Sequence, residues 1–368
     1  MGTSLDRLTI RGFKSIKSLE DFELKNLNIF IGANGAGKTN LIDFFRMLRA
    51  FMDGNLEKYI RENGGISDCL FNGRKGTKQI EFSVRFGQCG YRFNIVPGAK
   101  EDFFVTNEAR YYQPSRSGWW NLGNSSDGTS LLAKEVKDKT SDYKYGLPVF
   151  NAIASWQVYH FHDTSPSSSM RHHEIVQDNS KLRFDGANIA PYLLMLKNRH
   201  PGEYAEITEA VRLVAPFFED FILGVEEFGQ KKKVNLSWRQ KGSDYPMQPY
   251  HFSDGSIRFI CLATALLQPQ PPSTIVIDEP ELGLHPHAIG ILAELAQSAA
   301  KNTQLIISTQ SPTFIDHFSI EDIVVVNRRH GASSFERLEE KEFEVWLEDY
   351  SVGELWKKNV ISGGAVYE

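Results

Sequence analysis

Apolar residues recur along this chain with two periods, and the switches between them mark out the elements. Leu8-Thr9-Ile10 and Phe22-Glu23-Leu24 read as short strands around the turn Arg11-Gly12-Phe13-Lys14-Ser15. An apolar run, Leu27, Ile29, Phe30 and Ile31, precedes a segment whose Leu41, Ile42, Phe44, Phe45 and Leu48 repeat with helical spacing. Residues 78–96 alternate polar and apolar through Ile80, Phe82, Val84 and Phe86, then Tyr91, Phe93 and Ile95. The break from Gly87 to Gly90 predicts a β-hairpin. From Pro114 to Asp142 the chain turns to Ser, Gly, Asn, Asp and Lys, which predicts a loop or partly mobile excursion.

Trp156 to Phe161 resumes as a strand, and a polar stretch from Thr164 to Ser169 follows. Residues 188–224 carry helical periodicity from Ile189 and Leu193 to Phe217, Phe218 and Phe221, and Val234 to Trp238 reads as a strand. Beyond Ser253, helix-like stretches (Ile257–Leu267, His287–Ala300) alternate with strand-like ones (Thr274–Ile277, Gln304–Ser308, Ile323–Val326). That alternation predicts an α/β fold with a largely parallel sheet and helices against it. The chain shows no internal repeat and no long heptad segment.

The 368 residues allow two or three domains, and 41% hydrophobic with 24% charged residues is ordinary globular composition. No apolar run reaches bilayer length, and the first residues lack the apolar core of a signal peptide. Cys69, Cys89 and Cys261 are odd in number and lack metal-ligand spacing. Together these predict a cytoplasmic protein without a membrane partner. A formal charge of −5 argues against a wholly basic nucleic-acid coat but leaves a local patch open. Lys231-Lys232-Lys233 and Arg171-His172-His173 are the local concentrations, readable as solvated loop faces or as nucleic-acid contacts.

The sharpest chemistry is Gly32-Ala33-Asn34-Gly35-Ala36-Gly37-Lys38-Thr39, which reads G-x-x-x-x-G-K-T between a strand and a helix. That context is the one a phosphate-binding P-loop requires. Glycines let the backbone turn its N–H groups inward, and the helix N-terminus adds partial positive charge. Lys38 is placed to reach the β- and γ-phosphates, and the Thr39 hydroxyl to ligate Mg²⁺. Asn34, Gly35, Ala36, Gly37, Lys38, Thr39 and Asn40 are thus the expected ATP-binding set.

About 240 residues downstream, Thr274-Ile275-Val276-Ile277-Asp278-Glu279 is an apolar strand ending in two carboxylates, the Walker B pattern. Asp278 is expected to hold Mg²⁺ through its water shell, and Glu279 to polarise the attacking water. Phe252-Ser253-Asp254-Gly255-Ser256 opens a helix, where a serine is either a simple cap or a second phosphate cradle. The strand after Walker B ends in Ser308-Thr309-Gln310-Ser311-Pro312, beside Asp278 in a parallel sheet and placed to sense a γ-phosphate.

In this order the motifs resemble the ABC-type ATPase head, within it the RecF, SMC and OLD-like branch. The compact bacterial AAA family ATPases without a long coiled coil are the most similar. Ile10–Ser15, Tyr159–Thr164 and Asp349–Trp356 extend the resemblance over nearly the whole chain. It implies one composite ATPase domain: a β-rich N-terminal lobe with the P-loop (1–162), a helical insertion (163–250) and a C-terminal lobe (251–368). It further implies a head-to-tail homodimer that sandwiches two ATP molecules. Ser253 and Gly255 match the signature and would touch the γ-phosphate in trans, although Ser256 replaces its second glycine.

Gln310 stands where transporter-type heads carry the switch histidine, and His285 after Walker B is expected to face the dimer partner. Lys14 is either a phosphate contact or a surface lysine. For the Q-loop position Gln157 lies too early, which leaves His162 and Asp163 as candidates. His160 and His162 lack a convincing third ligand for a metal.

The resemblance implies an ATP-driven switch, with two settings open. One is the ATPase half of an anti-phage defence module working with a separate effector protein. The other is a DNA-repair or chromosome-maintenance ATPase that binds DNA directly. A transporter subunit is disfavoured by Gln310 and by the long insertion. Too little chain follows residue 330 for the Toprim nuclease domain appended in OLD-like proteins.

Overall fold

A computed structural model describes residues 4–113 and 118–361. β1 (Arg7–Phe13) and β2 (Ile16–Glu23) turn about Lys14 and Ser15, and β3 (Leu27–Ile31) leads to the P-loop. β4 (Ile80–Phe86) and β5 (Cys89–Pro97) form the expected hairpin, and β6 (Phe103–Tyr112) and β7 (Trp119–Ser125) extend it. With β1 and β2 they make a six-stranded antiparallel sheet in the order β2-β1-β4-β5-β6-β7. Burial alternates strictly along β4: Ile80, Phe82, Val84 and Phe86 face inward, as the two-residue pleat requires.

β8 (Gln157–Tyr159) begins the return to a second sheet. Two small sheets intervene, built from β9 (Glu174–Ile175), β10 (Phe218–Ile222), β11 (Val225–Phe228), β12 (Lys231–Val234), β13 (Ser237–Gln240) and β14 (Pro246–Met247). The helices Ile189–Arg199 and Pro201–Val214 lie among them. β15 (Thr274–Asp278), β16 (Gln304–Thr309), β17 (Ile323–Arg329) and β18 (Ala332–Arg337) complete the second sheet, in the order β18-β17-β3-β16-β15-β8. All its neighbouring pairs are parallel except the β17–β18 hairpin.

β3, β15 and β16 are buried at every position, as parallel strands covered on both faces are. Their side chains divide between two cores. Phe30, Val276 and Ile306 face the helix Lys38–Asp53 and, beyond it, the antiparallel sheet. There Phe44 meets Phe82 at 5.3 Å and Phe51 meets Phe93 at 4.6 Å between ring centroids. Ile29, Ile277 and Ile307 face the opposite core, with the helices Asp254–Leu266 and Pro286–Ala299. No helix of the described residues is long and apolar enough to cross a membrane.

Three local expectations change. The polar segment from residue 114 holds β7 and the helix Leu131–Lys137, while Pro114 to Ser117 lie outside the described residues. Buried Glu108 accepts the N–H groups of Leu131 and Leu132 at 2.9 Å and so anchors that helix. Phe218 and Phe221 lie on a strand because Pro216 disfavours helix at Ala215. Phe218 then packs on Trp238 at 6.0 Å and Phe252 at 6.3 Å. Val234 to Trp238 divides at Asn235-Leu236 between two sheets, β12 joining one and β13 the other.

One buried amide ties the two halves of the chain. Gln304 Oε1 accepts from Leu5 N and Thr274 Oγ1, both at 3.1 Å, while Nε2 donates to the carbonyls of Leu5 and Lys25 at 2.8 and 3.0 Å. Gln304→Leu removes the partners of the Leu5 N–H and carbonyl, while the Lys25 carbonyl keeps the Asn28 amide at 2.7 Å. Denaturant unfolding should show a loss of about 2–4 kcal/mol; a change near zero would mean that water replaces the amide freely.

Candidate functional site

The P-loop leaves β3 under tight steric constraint. A Cβ on Gly32 would sit 2.2 Å from the Val326 carbonyl, and Gly35 and Gly37 adopt φ of 79° and 115°. Only glycine accepts these positions without strain. The loop is braced from behind. Ser333 Oγ donates to the Ala36 carbonyl at 2.6 Å and lies 2.7 Å from Ser15 Oγ. Asn40 donates its amide to the same Ser15 hydroxyl at 2.6 Å.

Asn34, Gly35 and Thr39 are exposed, and Arg328 donates to the Gly35 carbonyl at 3.3 Å. The helix begins at Lys38 with no side chain capping its first amides. Those N–H groups, together with the glycine-only turn, fit a polyphosphate. Lys14 is turned to the flank of this helix, where its ammonium donates to Asp43 at 2.6 Å and to Asn63 at 3.3 Å.

Lys38 is buried and donates to the carbonyls of Gly32 at 2.6 Å and Ala33 at 3.2 Å. Burial lowers its pKa below the usual lysine range, and the charges of Glu279, Asp278 and Glu281 oppose that shift. Register brings those carboxylates there: Asp278 pairs with Ser308 across β15–β16, and Thr309 pairs with Ile31 across β16–β3. Ser308 Oγ donates to Asp278, and Gln310 Nε2 donates to Glu279. Glu279 has a left-handed backbone, φ 44°, held by its N–H on the Ser308 carbonyl at 2.9 Å. Such a conformation is uncommon for a non-glycine residue.

Lys38, Asp278, Glu279 and Gln310 therefore meet at one end of the parallel sheet, with Thr39 in the first turn of the helix. Among the described residues no hydrogen bond joins Ser253, Gly255 or His285 to the P-loop. Ser253 caps its helix by accepting from Ser256 N at 3.1 Å, and exposed His285 caps the next by accepting from His287 N at 3.3 Å. A Cβ on Gly255 would lie 2.6 Å from the Gly283 carbonyl, so signature and post-Walker B loop are in close backbone approach.

Of the two Q-loop candidates, His162 has Nε2 at 2.9 Å from the Asp278 carbonyl. Asp163 is turned into its own loop, accepting from Ser165 N and Oγ at 3.1 and 2.6 Å. His160 stacks against His162 at 4.0 Å between centroids. Among the described residues no three His, Cys, Asp or Glu form a metal-holding group.

Two contributors escaped the sequence reading. Buried Arg258, one turn into the signature helix, donates to the carbonyls of Phe161 at 2.9 Å and His162 at 3.0 Å, and to Leu282. It joins the signature helix, the segment after β8 and the loop after Walker B. A lone arginine in an apolar helix, five residues after Ser253, was the available signal. Glu281 accepts from the Thr309 hydroxyl and from Gln310 N at 3.3 Å, while its Oε2 is buried without a partner. The third acidic residue of Asp278-Glu279-Pro280-Glu281 is visible in the sequence, but not its burial.

Of the basic runs singled out in the sequence, Arg171 is engaged in the fold, while Lys231 and Lys232 lie exposed on a ribbon. Arg171 donates to the carbonyls of Thr164, Pro249 and Phe252 and pairs with Asp254 at 2.8 Å. Lys232 and Lys233 pair across the β11–β12 ribbon with Glu227 and Glu226.

The family model described as "AAA domain, putative AbiEii toxin, Type IV TA system" matches residues 27–316. No curated protein matches the chain. Among solved structures, an Smc head bound to the C-winged helix domain of ScpA aligns with a TM-score of 0.58 at 18% identity, covering 93% of this chain and 99% of that one. An Smc head domain with an extended coiled coil, bound to the C-terminal domain of ScpA and derived from Pyrococcus furiosus, gives 0.55 at 17% identity, covering 94% and 99%. The fold is that of an ABC-type ATPase head.

Burial pushes the Glu281 carboxyl above its usual pKa. The folded state then holds the proton more tightly than the unfolded chain, so this group costs stability as pH rises from about 4.3, the unfolded value. Glu281→Gln removes the titration. Its melting temperature relative to wild type should move in the variant's favour from pH 5 to pH 8; a gap independent of pH would contradict a buried, titrating Glu281.

Proposed function

This chain belongs to the AAA domain family whose model it matches, and from that premise we propose that it is an ATP-binding and ATP-hydrolysing molecular switch that dimerises head to tail on ATP. The observation that carries this reading is the convergence of Lys38, Asp278, Glu279 and Gln310 at the carboxyl ends of neighbouring parallel strands. In this reading the P-loop amides hold the phosphate chain, and Lys38 exchanges the carbonyls of Gly32 and Ala33 for β- and γ-phosphate oxygens. Thr39 and Asp278 are the residues that would hold a Mg²⁺ ion, which would offset the phosphate charge. Glu279 draws a proton from the attacking water while the Gln310 amide fixes the carboxylate that receives it.

Ser253 and Gly255 complete the nucleotide site of a second copy, and His285 faces that copy. That no hydrogen bond among the described residues ties them to the P-loop of their own chain supports this arrangement. Arg258 is the strut between the two functions, since it holds the signature helix against His162, which touches Asp278. Lys14 contributes to phosphate binding only by leaving Asp43.

For the biological role, the family's description as a type IV toxin–antitoxin component supports a cytoplasmic defence module, in which the closed dimer signals to a separate effector protein. Direct DNA binding of the RecF or SMC kind is the second reading; the head fold itself favours it.

Glu279→Gln should retain ATP and double in solution mass on adding Mg-ATP, and Ser253→Arg in that background should abolish the doubling. Lys38→Ala should lose ATP binding. Normal turnover by Glu279→Gln would remove Glu279 as the base. Arg258→Lys keeps the charge but loses the planar fork, so turnover should fall at least about tenfold while ATP affinity stays within about twofold. A parallel loss of both would make Arg258 merely structural.

A further inference from the structure

The outward face of the antiparallel sheet carries a constellation that the nucleotide site does not use. A depression of about 640 Å³ lies over β1, β4, β5, β6 and β7. Four arginines line it, Arg7, Arg11, Arg85 and Arg92, against two carboxylates, Asp21 and Glu81. The charges are not evenly shared. Arg7 is held by Asp21 at 2.6 Å and Glu23 at 3.5 Å, and Arg11 by Glu20 at 2.8 Å and Glu81 at 3.1 Å.

Arg85 and Arg92 have no carboxylate within ion-pair distance among the described residues. Both guanidiniums lie 4.5 Å from the Trp119 ring centroid, and Arg85 also lies 4.0 Å from that of Tyr111. Burial and the neighbouring Arg85 charge both push Arg92 below the usual arginine range.

The sheet register builds this cluster. Gly90 pairs with Arg85 on one side and Tyr111 on the other, and Tyr111 pairs with Trp119. A Cβ on Gly90 would stand 2.9 Å from Arg85 Cδ, so the absent side chain lets Arg85 cross β5 to reach the rings. A stacked arginine with a structural task on this sheet is also bonded. Arg110 lies 5.2 Å from the Trp120 centroid and grips Glu135 at 3.0 and 3.1 Å. Arg85 and Arg92 keep the stacking without the anion, and each guanidinium offers five donors in a planar fork suited to phosphate.

From this arrangement we infer that the outward face of the N-terminal sheet binds single-stranded nucleic acid. Arg85 and Arg92 receive backbone phosphates, and unpaired bases stack against Trp119 and the guanidinium planes. Asn94 and Asn121 in the same depression supply donors and acceptors for base edges. A sheet face bearing aromatic and cationic side chains takes single strands because only unpaired bases present a free ring face. An acidic peptide would neutralise the arginines but need not bring any ring to stack on the guanidinium planes or beside Trp119. The site is independent of the ATP reading, being formed by other residues on the far side of the sheet from the helix Lys38–Asp53.

The test is fluorescence anisotropy on the full chain without nucleotide, using labelled oligo-dT and oligo-U of about 15 nucleotides, a duplex of equal length and a polyglutamate peptide. Arg85→Ala with Arg92→Ala should weaken strand binding at least about tenfold and reduce the salt slope by about 1.4, two single-strand phosphates. Asn121→Glu sets a carboxylate at an exposed position beside the stack and should weaken binding without touching the core. Retained ATP binding by each variant reports an intact fold. Preference between dT and U separates DNA from RNA as the source. No strand binding by wild type, equal binding by the variants, or tighter binding of duplex or peptide would overturn the assignment.

Discussion

Ile31, Thr309, Ser308 and Asp278 stand level across three parallel strands, and nearly everything at the site follows from that alignment. Ile31 pairs with Thr309 and Ser308 with Asp278, so the P-loop leaves β3 at the height where β15 ends in its carboxylates. Side chains alternate faces along a strand, and a slip of one residue in β15 would turn Asp278 into an apolar core. The pattern of Ile275 and Ile277 toward one core and Val276 toward the other resists that slip. A carboxylate pair is thereby held beside Lys38 by strand register.

A second set of contacts links this edge to the signature helix and the loop after Walker B. Glu281 grips the switch segment through Thr309 and the Gln310 N–H, while Gln310 returns to Glu279. Arg258 grips three carbonyls from two separate segments, one of them next to the histidine that touches Asp278. A change in occupancy at the P-loop edge has a short, hydrogen-bonded route to the signature helix. The left-handed backbone at Glu279 sits at the start of that route, and non-glycine residues hold such a conformation only where surrounding contacts enforce it.

What the sequence reveals is what local chemistry determines. The glycine positions of the P-loop, the fully apolar runs of β3, β15 and β16, the β4–β5 hairpin and the order of the motifs are each readable from neighbours in the chain. The remainder depends on partners far away. The polar stretch after residue 114 is a strand and a helix because Glu108 and the arginines of β4 and β5 supply its contacts. Arg85 and Arg92 look ordinary in sequence, whereas the more conspicuous Lys231–Lys233 run lies on a ribbon where Lys232 and Lys233 stand opposite Glu227 and Glu226. The roles of Glu281 and Arg258 are hidden in the sequence for the same reason: burial and carbonyl partners are properties of the fold.

In the proposed switch each nucleotide site is shared between two copies of this chain. Lys38→Ala and Ser253→Arg proteins should each be inactive alone. In a mixed dimer the P-loop of the Ser253→Arg copy faces the intact signature of the Lys38→Ala copy, so one of the two sites is whole. Mixing equal amounts should restore up to about a quarter of wild-type ATP turnover, since half the dimers are mixed and each has one whole site. Turnover by the Ser253→Arg protein alone, or a mixture as inactive as its components, would contradict that sharing.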